Sequence, residues 1–180
     1  MKCHPAPATV RAVFAFALAW ASAAASAQVL EVLESRGFAE TRIPAVGWRQ
    51  AVVGRQLPEG STATTWLAAR AVLAFPGVRL ELGELTHLRV LALESGAVRL
   101  SLTAGSLVLE SEGTRLEVEF GGAVLRLENG TAEISGDVLK LISGTAVLSG
   151  AGPSPRILEA GTVLRLSERR IGSVFPRPGP

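Results

Sequence analysis

The chain has 180 residues, a formal charge of +2, no tyrosine and a single cysteine. Lys2 and Arg11 account for that excess; without them the basic and acidic residues balance. A balanced chain with no basic patch interleaved with aromatics lacks the electrostatic footprint of a nucleic-acid binder. With Cys3 as its only cysteine the chain forms no internal disulfide, so packing alone must hold it.

The first element is an export signal. Lys2 and Arg11 form a basic head, and Ala12 to Ala25 is an apolar run carrying Val13, Phe14, Phe16, Leu18 and Trp20. The run closes on Ala25-Ser26-Ala27, the small-x-small pattern of a cleavage site. Arg11 and Gln28 enclose only 16 residues, mostly Ala and Ser, against about 20 apolar residues for a spanning helix. Residues 1–27 therefore read as a signal peptide cut between Ala27 and Gln28. Cys3 lies ahead of the apolar run and leaves with it. The expected location of the mature chain is periplasmic or extracellular, with no membrane anchorage after cleavage.

From Gln28 onward the pattern has period two. Val78-Arg-Leu-Glu-Leu82, Val98-Arg-Leu-Ser-Leu102 and Leu116-Glu-Val-Glu-Phe120 alternate apolar with polar, and Leu125-Arg-Leu127 and Leu164-Arg-Leu166 are shorter pieces of it. Such alternation puts one face of a strand on a core and the other in water. Glycines punctuate it at Gly77, Gly83, Gly96, Gly105, Gly113, Gly121-Gly122, Gly130, Gly136, Gly144, Gly150 and Gly161. Many short strands between such breaks predict an all-β body, a β-sandwich or a β-solenoid-like stack. Leu67 to Leu73 is alanine-rich and reads as a strand leading to Phe75. Gly150 to Pro155 reads as a loop, and residues 171–180 as a proline-rich, flexible tail. Residues 28–170 form one domain.

The residues that chemistry needs are scarce. After Gln28 there is one histidine, His87, one aspartate, Asp137, and one lysine, Lys140. That inventory is poor for a zinc site, which takes three or four Cys, His or carboxylate ligands. His87 in Thr86-His-Leu-Arg-Val90 shares a face with Arg89 and reads as a solvated strand residue. Lys140 in Val138-Leu-Lys-Leu-Ile142 reads the same way, not as the base of a serine–lysine pair. No serine sits in G-x-S-x-G, and Gly150-x-Gly152 is followed by Pro155 where a dinucleotide fingerprint needs a third glycine. Glu117 with Glu119, and Glu110 with Glu112, share strand faces. A glycosidase also needs two carboxylates, but these read as solvated groups paired with Arg99, Arg115 and Arg126 on neighbouring strands. Asn129-Gly130-Thr131 matches a glycosylation sequon, yet its physical content is a turn or kink. No catalytic residue, metal ligand or cofactor is expected. Trp48 and Trp66, the tryptophans that follow the signal, are the weak candidates for partner binding; core or rim packing is the alternative role.

The stretch Trp48-Arg-Gln-Ala-Val-Val-Gly54-Arg-Gln-Leu57-Pro-Glu-Gly60-Ser-Thr-Ala-Thr64 resembles the opening of FecR-like domains: a tryptophan, a small hydrophobic step, then G-x-x-L-x-x-G and a threonine. Ala71 to Leu80, Thr86 to Val90, Leu107 to Leu127, Gly130 to Ile134, Val138 to Val147 and the closing Leu158-Glu-Ala-Gly161 resemble that family's later strands in order. Ser61 and Pro76 depart from it, standing where the family often has Asp. The resemblance covers about residues 29–166. It implies an all-β, non-enzymatic binding or regulatory module with an envelope protein as partner, and carries over no catalytic residue. A structural envelope component that self-assembles or binds cell wall is the alternative. Regulators of that family place a cytoplasmic sigma-binding segment and a spanning helix ahead of this domain. Here 11 residues reach the apolar run, so the chain is not expected to relay a signal across the inner membrane by itself.

Overall fold

A computed structural model describes residues 28–166. The signal peptide, the Ala27 side of its cleavage site and the proline-rich tail lie outside the described residues. Fourteen strands and no helix make up the rest: β1 (Leu30–Arg36), β2 (Ala39–Ile43), β3 (Gly47–Gln50), β4 (Gln56–Leu57), β5 (Thr62–Thr65), β6 (Arg70–Phe75), β7 (Val78–Leu82), β8 (His87–Glu94), β9 (Ala97–Ala104), β10 (Ser106–Phe120), β11 (Ala123–Ser135), β12 (Val138–Ser149), β13 (Arg156–Glu159) and β14 (Val163–Arg165). The all-β expectation holds. Leu67–Ala69 is a correction: it forms a turn, with Ala68 at a φ of 55°, and the strand begins only at Arg70. Alanine-richness there marked a tight turn, not a strand.

The strands form one sheet that forks along β10. Leu107–Ser111 pair antiparallel with β7, whereas Arg115–Phe120 pair parallel with β9. One leaf continues β7-β6-β1-β4 and the other β9-β8-β5-β2-β3. On the far side β12 repeats the fork, pairing Val138–Lys140 with β14 and Thr145–Leu148 with β13. Pairing is antiparallel everywhere except β9–β10, so the body is a curled sheet closed into a sandwich and not a stack of parallel rungs. The alternating apolar residues meet between the leaves. Leu30, Leu73, Leu80 and Leu109 from one leaf join Leu88, Leu100, Leu116 and Leu125 from the other in a single buried cluster. Each leucine so buried contributes about 1.5–3 kcal/mol.

Long strands serve both leaves because each is broken at a Gly-Thr pair: Gly113-Thr114, Gly130-Thr131, Gly144-Thr145 and, between β13 and β14, Gly161-Thr162. The β10–β11 and β11–β12 ladders lose register there. Gly130 and Gly144 face each other, and a Cβ would stand 2.2 Å from Ser143 O at the first and 2.0 Å from Asn129 O at the second. Only glycine lets the backbones approach that closely. Thr114 Oγ1 donates to Pro76 O (2.9 Å), and Asn129 Oδ1 accepts from Gly113 N (2.9 Å). The sequon-like triplet is thus part of a corner, as its turn-or-kink reading anticipated.

Candidate functional site

Three turns meet at one end of the sandwich: Gly37-Phe38 between β1 and β2, Trp66–Ala69 between β5 and β6, and Gly83–Thr86 between β7 and β8. Their backbones bind one another. Trp66 N donates to Phe38 O (3.0 Å), Leu85 N and Ala69 N both donate to Trp66 O (3.3 and 3.1 Å), and Thr65 N donates to Thr86 O (3.0 Å). The floor beneath is polar and buried. Thr65 Oγ1 accepts from Thr86 N (3.0 Å) and donates to Gly83 O, while Thr86 Oγ1 accepts from Ser106 N (3.0 Å) and lies 2.8 Å from Ser106 O. Both threonines are buried. A fully bonded buried network of this kind fixes the turns above it.

The turns present large apolar side chains to solvent. Phe38, Trp66, Leu67 and Leu85 are 53%, 49%, 71% and 54% exposed. The Phe38 and Trp66 rings lie 5.9 Å apart at 47°. Trp66 Nε1 donates to Glu40 Oε2 (3.2 Å), and Ala68 N donates to Glu84 Oε2 (3.1 Å). Leu85 and Ala68 hold φ values of 52° and 55°. Left-handed backbone at a residue with a Cβ is costly, and an exposed leucine recovers little of that cost by packing. Adjacent exposed apolar groups on a rigid, strained base mark an interaction surface better than scattered ones do.

The structure places both candidate tryptophans on one outer face of the sheet. Trp48, 45% exposed on the terminal strand β3, pairs opposite Arg42. Glu40, two residues before Arg42, holds the Trp66 indole. Arg42 stands opposite Thr62, which stands opposite Arg89. Among the described residues Arg42 and Arg89 form no ion pair. Arg49, next to Trp48 on β3, pairs opposite the buried Thr41 and so belongs to the other side of the sheet; its Nη1 donates to Trp48 O (3.0 Å). The face is therefore aromatic and positively charged. Neither tryptophan is a core residue. Sequence reasoning missed Phe38, Leu67 and Leu85. Phe38 and Leu85 were signalled only as apolar residues beside the turn glycines Gly37 and Gly83, where polar ones are expected; Leu67, in a turn without glycine that reads as strand, carried no signal.

Of the other groups singled out in the sequence, His87 shares this face, standing opposite Thr64, which stands opposite Glu40; the rest lie elsewhere. Glu117, on the outer face of β10, has its carboxylate 2.9 Å from Arg126 Nε, 3.7 Å from Arg99 Nε and 3.8 Å from Arg115 Nε, and Arg99 also reaches Glu119 (3.6 Å). Arg99 and Arg126 are the cross-strand partners expected of it, whereas Arg115 corrects the expectation: it lies on β10 itself, two residues before Glu117. Together with Glu94 they border a shallow concavity of about 300 Å³. Glu110 and Glu112 are exposed on the same strand, and Lys140 is exposed on β12. His87 Nδ1 lies 3.0 Å from Thr64 Oγ1. No carboxylate among the described residues orients the other ring nitrogen, so the pair lacks the third member of a nucleophilic triad. Among the described residues no three His, Cys, Asp or Glu side chains gather into a metal-holding group.

No family model and no curated protein matches the chain. Two crystal structures described as a "putative anti-sigma factor" from Parabacteroides distasonis superpose on it with a TM-score of 0.48 each, at 12% and 13% identity. Each match covers 58% of this chain and 58% of that chain, so less than two thirds of either protein is compared.

Proposed function

We propose that the chain is an exported, FecR-like interaction module, released from its signal at Ala27–Gln28, that binds an envelope protein and carries out no reaction of its own. The observation that carries this reading is the rigid apolar platform of Phe38, Trp66, Leu67 and Leu85. Tryptophan is enriched among the residues that anchor protein interfaces, and on a preorganised base it loses little conformational entropy when it is covered. Trp48 and the unpaired Arg42 and Arg89 extend the platform into a face suited to a partner with an apolar centre and an acidic rim. The order of FecR-like motifs supports the same assignment, and the apolar run before Gln28 supports action outside the cytoplasm.

Affinity capture from envelope extract tests the reading, with the mature chain and its Leu67→Asp variant as baits. A discrete protein retained by the first and lost by the second is the expected result. Recovery only of wall material, or of the chain's own polymers, would replace the reading with that of a structural envelope component.

A further inference from the structure

We propose that Gln28, once it is the amino terminus, closes to a pyroglutamate ring that rests in the concavity beside it. The inference builds on the cleavage between Ala27 and Gln28 proposed above. Gln28 is exposed and precedes the first ladder pair, Leu30 with Leu57, where Leu30 is fully buried. The new terminus is thus an exposed residue close to an anchored strand, and no hydrogen bond ties its side chain to another described residue. It borders a concavity of about 370 Å³ with Val29, Phe75, Pro76, Ser95, Gly96 and Thr114.

The step needs no partner reagent. In the precursor the Gln28 nitrogen is an amide of Ala27 and is not nucleophilic. Cleavage frees it as an amine, and its unprotonated form attacks the residue's own side-chain carbonyl carbon, Cδ. The N–Cδ bond forms, the Cδ–Nε2 bond breaks, and Nε2 departs with a proton from the amine as ammonia. Nucleophile and electrophile share one residue, so the closure has the advantage of an intramolecular reaction. What is specific to this chain is the wall against which the ring forms. Among the described residues the lining holds Phe75, Pro76 and two hydroxyls but no carboxylate. An ammonium entering it would lose water and gain no counter-charge, whereas the neutral ring has apolar walls and hydroxyl partners. The concavity favours the product over the charged terminus. The ring also removes the free amine that an aminopeptidase requires, and so protects the start of β1.

Mass spectrometry of the full chain recovered from the envelope decides the matter. The expected amino-terminal peptide begins at residue 28 and is lighter than free glutamine by one ammonia. A peptide beginning with unmodified Gln28 overturns the proposal and leaves the cleavage reading intact. A chain beginning at any other residue overturns both. Ser95→Glu, which supplies a counter-charge at the concavity, is expected to lower the cyclised fraction at matched times after export. An unchanged fraction would overturn the role assigned to the concavity.

Discussion

Two regions of the outer surface use arginine in opposite ways. Over β9, β10 and β11, Arg99, Arg115 and Arg126 converge on Glu117, whose side chain is only 17% exposed, and Glu119 takes part of Arg99. Over β2, β3, β5 and β8, Arg42 and Arg89 form no ion pair among the described residues, the Glu40 carboxylate is engaged by the Trp66 indole, and Trp48 and the three-turn platform stand beside them. Both regions are built on the same alternating strands with the same apolar core behind them. The difference is that the first satisfies its charges within the chain and buries no further apolar group. The second leaves apolar area, positive charge and left-handed backbone uncompensated. A surface of the first kind needs nothing more than water. A surface of the second kind gains when something covers it, and the proposed binding role rests on that asymmetry.

Four substitutions break or sharpen this contrast. The largest effect is expected from Thr86→Val, which strips the floor of the platform and leaves the Ser106 N–H buried without its acceptor. Urea unfolding should show a loss of about 2–3 kcal/mol, and partner capture should weaken as the turns loosen. Trp66→Ala should leave the unfolding midpoint nearly unchanged while weakening partner binding by about 2 kcal/mol, or roughly 30-fold; titration calorimetry with the captured partner reads this directly. Glu117→Gln should do the reverse. It removes the charge that organises three arginines and costs about 1 kcal/mol of stability, with affinity for the partner unaltered. Leu85→Gly relieves the left-handed strain at the expense of backbone entropy. A small gain in stability, about 0.5 kcal/mol, is expected together with weaker binding. A variant that gained stability and kept full binding would show that the strained leucine plays no part in the interface.

The alternation made the strands legible because each residue's face depends only on its immediate neighbours. Val78, Leu80 and Leu82, or Leu116, Val118 and Phe120, are buried as that pattern requires. The pairing of Glu117 with Arg99 and Arg126 was legible for the same reason, since opposite charges on outward positions of adjacent strands find each other; Arg115, expected on a neighbouring strand, reaches Glu117 along β10 itself. The fork at β10 was not. It depends on which strand lies beside which half of a long strand, a matter of sequence-distant contacts. The Gly-Thr pairs that mark the corners look in the sequence like ordinary turn punctuation. The platform was half legible: Trp66 stood out by composition. Phe38, Leu67 and Leu85 come from three separate turns whose meeting is fixed by hydrogen bonds between strands far apart in the chain.

The contrast between the two surfaces is tested most directly by site-specific photocrosslinking in the intact envelope. A photoreactive side chain is placed in turn at Leu67, on the platform, and at Arg126, on the self-satisfied face. A discrete protein adduct from position 67, with none from position 126, is the predicted result. Equal adducts from both positions, or an adduct from position 126 alone, would contradict the account.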